Sequence, residues 1–295
     1  MKCMPNHWSS VAGLAVALAF AGFLWAGSAQ AHGPDHTGAH QEFDTEHIFG
    51  FTEGADIGEK GEKEVESGTV FRFGKPGDFL AIDHETAFRY MLTDDFRASL
   101  GGLLTYRYDR GVPGEPDSDR FDFAGLTAQM RWHAVQPTRN SPFGLTLSFT
   151  PIWERVEANS AVNADTYVAA AEILADAEWI PNKLFSAINI EYEPGVTNVN
   201  GFWRHENGLE FRIATAYALS RDVLIGGEVR HASGGERSLF EAEALFAGPS
   251  LWYRISDTSS IKVSWSFQIP DESTHNLDLV NFERNQALIL LVKTF

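Results

Sequence analysis

The chain closes with residues 284–295, which read Arg-Asn-Gln-Ala-Leu-Ile-Leu-Leu-Val-Lys-Thr-Phe. This run is largely apolar, but it is too short for a transmembrane α-helix, which needs about 20 apolar residues. Its length suits a transmembrane β-strand, which needs about 9–11 residues. The fold therefore depends on whether the preceding sequence contains more segments of this kind.

From Thr69 onward, apolar residues alternate with polar or small ones. In one segment, Ile261, Val263 and Trp265 alternate with Lys262 and Ser264. A period of two predicts strands with one apolar and one polar face, which is typical of a membrane barrel with lipid outside and a polar lumen. A soluble sandwich also alternates. Its strands average about 5–6 residues, however, and several segments here are about twice as long.

The sequence predicts an all-β fold, a transmembrane antiparallel β-barrel of about 12 strands over residues 68–295. Ten or fourteen strands remain open alternatives. An even number of strands allows the N- and C-terminal sides of the barrel domain to lie together in the periplasm. The Ala-rich stretch 164–178 is predicted as strand, because a helix there would expose a sheet edge to lipid. The predicted strands are 69–75, 78–92, 95–108, 119–135, 143–155, 165–180, 183–194, 205–219, 222–233, 238–255, 259–269 and 284–295.

The N-terminal sequence predicts export. Residues 1–31 have one charge, Lys2, an apolar core and an Ala29-Gln30-Ala31 cleavage site, as signal peptides do. An uncleaved anchor helix is the alternative. Residues 32–67 lack strand character and predict a periplasmic N-terminal extension, flexible at first, with a short helix or turn around residues 48–60. Together with the barrel pattern, this places the protein in the Gram-negative outer membrane.

The net charge of −17 argues against nucleic acid as a partner. The expected partners are outer-membrane lipid and lipopolysaccharide, and no cofactor is predicted. Aromatic residues near the segment ends predict interfacial girdles. This set is Phe88, Tyr90, Tyr106, Tyr108, Trp132, Trp179, Tyr192, Trp203, Trp252 and Tyr253. An aromatic-lined mouth for hydrophobic substrates, including Phe246 and Trp252, is the alternative interpretation.

Charged residues on the polar face are the first candidate site, because they would line the lumen. Mixed charges there could line a water-filled pore or cross-link into a salt-bridged plug. The candidates are Arg97, Arg107, Arg131, Glu191, Glu210, Arg212, Glu228, Arg230 and Lys262, with Glu241 and Glu243 beside them.

Two further motifs suggest other functions. His231 and Ser233 share a strand face and could act as base and nucleophile. The His-Ala-Ser run resembles an element of outer-membrane phospholipase A and lipid A deacylases, although Gly234 stands where those families have Asn. In the N-terminal extension, His32, His36 and His40 could bind copper, zinc or nickel. A solvated tail is the simpler interpretation of the histidines.

Several runs resemble a family of uncharacterised outer-membrane barrels common in rhizobia and related alphaproteobacteria. They are residues 46–64, 142–147, 183–189, 248–252 and 277–284. The general pattern is also similar to barrels associated with phenol degradation, which implies passage of hydrophobic aromatic compounds. The terminal Phe295 resembles the closing residue of bacterial outer-membrane barrels, which implies recognition by the barrel-assembly machinery. Lys293 departs from the usual ending. The sequence therefore predicts porin-like passage of a small solute, with lipid hydrolysis and metal binding as alternatives.

Overall fold

The computed structural model describes residues 43–138, 141–156, 162–271 and 275–295. Twelve antiparallel strands close into a barrel, in which sequence neighbours pair and the first strand pairs with the last. The predicted fold class is confirmed. The strands are β1 (Lys63–Phe73), β2 (Asp78–Thr93), β3 (Phe96–Arg110), β4 (Ser118–Val135), β5 (Phe143–Val156), β6 (Asn163–Ile180), β7 (Leu184–Val199), β8 (Phe202–Ala218), β9 (Val223–Gly235), β10 (Ala242–Ser256), β11 (Ser259–Ile269) and β12 (Asn285–Thr294).

The two rims of the barrel differ in their connections. At the near end, where β1 begins and β12 finishes, the backbone N–H of Phe295 donates to the carbonyl of Lys63 at 2.8 Å. Most turns at this end are short, namely β2–β3, β6–β7 and β10–β11, although the β4–β5 connection spans residues 136–142. At the far end the β3–β4 and β11–β12 connections are longer, although the β7–β8 turn has only two residues. Outer-membrane barrels place short turns in the periplasm and longer loops outside. No helix among the described residues combines the length and apolar character needed to cross a membrane.

The two faces of the sheet follow the predicted alternation. Leu100 and Ile213 on the outer face are 69% and 58% exposed, while Arg97 and Arg212 on the same strands point inward and are buried. Trp252 departs from the predicted girdle, because it is buried inside the barrel together with Phe246. Their even-numbered positions on β10 place them on the inner face, so the girdle interpretation was wrong for Trp252.

The β7–β8 hairpin is longer than the sequence interpretation indicated. Residues 195–201 were predicted as a loop, but β7 continues to Val199 and β8 starts at Phe202. Only Asn200 and Gly201 connect them, with φ angles of 53° and 89°. An Asn-Gly pair with both φ angles positive suits a two-residue hairpin turn, whose twist matches that of the strands.

The N-terminal part of the described chain lies inside the barrel. Strand β1 starts at Lys63, before the predicted boundary after residue 67. Residues 43–57, here called the inner segment, include a 3₁₀ helix (Thr45–His47) and pack within the lumen. Ile48, Phe49 and Phe51 are at most 3% exposed. The predicted periplasmic extension is thus partly an internal element, since its apolar and acidic side chains find partners only on the barrel walls. Residues 1–31, the predicted signal peptide, lie outside the described residues.

Candidate functional site

The structure places all nine predicted lumen residues inside the barrel. Each is at most 4% exposed: Arg97, Arg107, Arg131, Glu191, Glu210, Arg212, Glu228, Arg230 and Lys262. By contrast, Glu243 lies on the outer face with a half-exposed side chain. Ionised groups buried this deeply need partners of opposite charge or hydrogen bonds. The partners decide what the lumen can do.

Glu46 of the inner segment joins three arginines of the wall. Arg97 and Arg131 are direct cross-strand neighbours on β3 and β4, an arrangement in which like charges repel. The Glu46 carboxylate accepts hydrogen bonds from both of them and, at 2.8 Å, from Arg89 on β2. Burial raises the pKa of Glu46, but the three guanidiniums outweigh this effect and hold the pKa well below its usual range. The inner segment therefore supplies the anion that these strands lack.

A second charge network crosses the opposite wall and pairs charged side chains of the wall with one another. Glu172, Glu191 and Glu210 are aligned across β6, β7 and β8 as successive cross-strand partners. Arg212 contacts all three carboxylates. Arg230 donates to Glu210 at 3.0 Å, and its guanidinium lies 3.8 Å from the ring centroid of Phe51. The inner segment thus reaches this network through an aromatic ring.

Backbone hydrogen bonds attach the inner segment to further strands. The amide of Asn189 on β7 bonds both the N–H and the carbonyl of Glu53, each at 2.8 Å. Asp176 on β6 accepts from the N–H of Ala55 at 2.9 Å, and Thr146 on β5 donates to the Ala55 carbonyl. These contacts satisfy backbone groups that would otherwise be buried without partners. They hold the segment as specifically as a sheet neighbour would.

Glu228 on β9 binds the segment at the opposite side of the lumen. Its carboxylate accepts from the N–H groups of Phe51 and Thr52 at 3.0 and 2.9 Å, and from the hydroxyls of Thr52 and Ser264. A carboxylate with several donors makes hydrogen bonds about twice as strong as neutral pairs. Gly50 permits this approach, because a Cβ there would lie 2.2 Å from Glu228 Oε1.

An apolar contact completes the attachment. Phe43, Ile48 and Phe49 pack against inward side chains of β7 to β10, including Phe185 and Trp252. The ring of Phe43 meets those of Phe185 and Trp252 edge-on, with centroids 5.6 and 5.8 Å apart. This explains why Trp252 faces inward rather than toward the membrane interface.

Beside the inner segment lies a cavity of about 90 Å³. Its lining contains six glutamates against two basic residues, Arg89 and Lys262, together with aliphatic side chains of several strands. Lys262 has no ion pair within 4 Å among the residues the structure describes. The glutamates are Glu53, Glu66, Glu85, Glu154, Glu191 and Glu193. Glu53, Glu66 and Glu191 pair with Arg131, Arg89 and Arg212, respectively. The remaining carboxylates of the lining favour cations over anions in this space.

Arg107 belongs to neither network. Its Nε donates to Asp109 at 2.6 Å, two residues along β3, and its guanidinium lies 4.6 Å from the ring centroid of Phe79. Nearby, Arg72 pairs with Asp83 across β1 and β2. These pairs line the lumen toward the far end, so the barrel interior is charged along its length.

His47 occupies an acidic cluster where the inner segment meets β1. Its Nε2 lies 3.3 Å from Asp44 Oδ2 and 3.4 Å from Glu64 Oε2, and its Nδ1 lies 3.9 Å from Glu66 Oε2. Burial lowers the pKa of His47, but Asp44, Glu64 and Glu46 outweigh burial and raise the pKa to about 10. The sequence interpretation noted His47 only as a further histidine beyond His40, because its partners Glu64 and Glu66 lie on another element.

The structure does not join His231 and Ser233 by a hydrogen bond. His231 Nε2 lies 3.1 Å from Glu243 Oε2 on the neighbouring strand, and Ser233 Oγ donates to the Leu209 carbonyl at 3.3 Å. A nucleophile and its base need a mutual hydrogen bond. The two side chains instead bond to strands on opposite sides of β9. His32, His36 and His40, the predicted metal ligands, lie outside the described residues.

Comparison with known protein families shows which family the chain belongs to. A model for a family of unknown function, DUF6662, matches residues 41–295. The chain belongs to this family. No curated protein sequence matches it. The family therefore covers the inner segment as well as the barrel.

Solved structures with a similar fold are outer-membrane barrels. The COG4313 outer membrane channel from Pseudomonas putida F1 has a TM-score of 0.55 and 11% identity, and the match covers 82% of this chain and 98% of that chain. The NanC porin has a TM-score of 0.49 and 8% identity, covering 78% and 98%. The KdgM porin has a TM-score of 0.46 and 11% identity, covering 79% and 99%. At such low identity, the first of these shows the fold alone.

Proposed function

We propose that this DUF6662 protein is a porin-like channel of the Gram-negative outer membrane, in which the inner segment closes the lumen until it is displaced. The observation that carries this proposal is the position of residues 43–57, which bind β2, β3 and β4 through Glu46 and β9 through Glu228. A segment bound to opposite walls obstructs the passage between them. All of these contacts are non-covalent, so they can break without unfolding the barrel.

The cavity beside the inner segment suggests the chemical class of the solute. Six glutamates and several aliphatic side chains favour a small cation that carries some apolar surface. The looser likeness to phenol-associated barrels stays a prediction, and it makes neutral aromatic compounds the second class to test. The rhizobial resemblance likewise remains a prediction about where relatives occur.

Export and assembly follow the same proposal. We take the near end as periplasmic, because it has most of the short turns and because β1 begins and β12 ends there. The signal peptide at residues 1–31 would deliver the chain to the periplasm. Phe295 would present the assembly signal, and its ring is half-exposed at the end of β12. The surrounding lipid and lipopolysaccharide would contact the outer apolar face.

The direct test compares three proteins in planar bilayers. These are the mature chain, a variant that lacks residues 32–57, and a control that lacks only residues 32–42 and keeps the inner segment. We expect the mature chain and the control to be mostly closed, and the longer deletion to give discrete, cation-selective steps. Heat-dependent mobility on gels checks that each barrel is folded. A folded long-deletion variant that never conducts would refute the proposal. Liposome swelling with a small cation and a neutral aromatic compound then separates the two solute classes.

Hydrolysis has less support than passage. The His231–Glu243 contact uses the histidine nitrogen that a serine nucleophile would need. Fatty-acid release from phospholipid by the refolded barrel, lost in Ser233→Ala, would restore the hydrolase alternative.

A further inference from the structure

The acidic cluster around His47 has the geometry of a metal site. The ligand atoms of Asp44, His47 and Glu64 all lie within 4.8 Å of one another. His47 Nε2 lies 3.3 Å from the Asp44 oxygen and 3.4 Å from the Glu64 oxygen. A tetrahedral ion bound at about 2.0–2.1 Å keeps its ligand atoms about 3.3–3.4 Å apart. The spacing of this nitrogen from both oxygens therefore matches a tetrahedral edge.

The imidazole nitrogen at the centre of this cluster makes no hydrogen bond. His47 is 3% exposed, and its Nε2 is fully buried without a hydrogen-bond partner among the described residues. It faces the two carboxylate oxygens instead. Without a metal ion, the protonated ring forms ion pairs with Asp44 and Glu64. Coordination of a cation would satisfy all three atoms at once.

Neighbouring groups orient each ligand toward the same point. The second oxygen of Asp44 accepts from the N–H of Glu46 at 2.9 Å, and the second oxygen of Glu64 accepts from Arg89 at 3.2 Å. The remaining nitrogen of His47, Nδ1, lies 3.9 Å from Glu66 Oε2. A small movement of the Glu66 side chain would let its carboxylate accept a hydrogen bond from Nδ1–H. Metal-bound histidines usually have such a carboxylate behind them. The cluster therefore has both ligands and the groups that position them.

We propose that Asp44, His47 and Glu64 bind a divalent transition-metal ion, with zinc as the best fit. One nitrogen and two carboxylate oxygens leave a fourth position for water, as in three-ligand zinc sites. The side chain of Asp44 is 44% exposed, so an ion can reach the cluster from that side. Two ligands lie on the inner segment and the third on β1, so the ion would join the segment to the wall.

The test is a titration of the refolded mature barrel with Co²⁺ after chelator treatment, followed by displacement with Zn²⁺. We expect one equivalent with the visible absorption of four-coordinate cobalt. Binding should weaken by more than about 100-fold in His47→Gln and by at least about 10-fold in Asp44→Asn. The control variant H32A/H36A/H40A should keep the spectrum, because it leaves the three ligands intact.

Three outcomes would overturn this assignment. They are the absence of binding in the mature barrel, binding unchanged in both His47→Gln and Asp44→Asn, and loss of binding in the triple-histidine control. In the first case, His47 is simply a buried cation among carboxylates. If His47→Gln fails to fold, Asp44→Asn decides, since its half-exposed side chain contributes less to packing. The proposed metal binding is independent of whether the barrel conducts.

Discussion

Glu228 accepts two hydrogen bonds from Thr52, one from its backbone N–H at 2.9 Å and one from its hydroxyl at 3.1 Å. The two residues are far apart in sequence, and one belongs to the wall and the other to the inner segment. The same carboxylate also binds the N–H of Phe51. A single strand side chain thus holds two consecutive backbone amides in the lumen, and its removal should loosen the segment.

Replacing Glu228 with Ala should raise the fraction of time that the channel is open. The substitution leaves the N–H groups of Phe51 and Thr52 without this acceptor, and each such loss costs about 1–3 kcal/mol. Single-channel recording measures the effect. Glu85→Ala is the matched control, because Glu85 is also a glutamate of the lumen wall and bonds Thr127 on the wall rather than the inner segment. Equal opening in both variants would show that lost lumen charge, and not release of the segment, is responsible.

Replacing Glu46 with Gln should expose the inner segment to solvent more often. The substitution removes the shared anion of Arg89, Arg97 and Arg131, and breaking a buried ion pair on one side costs about 3–5 kcal/mol. Hydrogen exchange of residues 43–57 should accelerate, while exchange in the barrel strands stays slow. Unchanged protection of the segment would contradict the assigned role of Glu46.

Replacing Gly50 with Val should displace the segment by a steric route. A Cβ at this position would lie 2.2 Å from Glu228 Oε1, so the segment and the wall cannot keep their present contact. Gly102→Ala on β3 is the control, since no atom lies within 4 Å of its Cβ position. We expect more frequent openings in Gly50→Val and wild-type behaviour in the control. Closed channels in both variants would mean that the close approach at Gly50 is dispensable.

The sequence predicted the barrel wall well, because the wall obeys a local rule. Alternation with a period of two placed Arg131 and Arg212 inside and Leu100 and Ile213 outside, as the structure does. The β7–β8 turn was missed although Asn200-Gly201 is a strong hairpin signal. Gly195 and Asn198 suggested a loop, but both are accommodated within β7.

The inner segment was missed because its partners are distant in sequence. Thr45 bonds Asp176, and Thr52 bonds Glu228, so no periodicity within residues 43–57 reveals the contacts. Two signals could have indicated it. The apolar run Ile48 to Phe51 is unusual for a solvated tail. Arg97 and Arg131 also face each other across adjacent strands, and such a pair requires an anion from elsewhere.

The central claim is that the inner segment must leave its place for the channel to open, and a cross-link tests it most directly. A Cβ on Gly144 would lie 3.0 Å from the Cβ of Ala55, just under the spacing of about 3.5–4.5 Å found in disulfides. It would also lie 2.5 Å from Oδ1 of Asp176, so the Asp176 side chain must move and Gly144→Cys alone is the matched control. The only native cysteine, Cys3, lies in the predicted signal peptide, so Ala55→Cys with Gly144→Cys gives a unique pair. We predict that the oxidised double variant stays closed in single-channel recordings and that reduction restores wild-type openings. Equal conductance before and after reduction of a verified disulfide would contradict the account.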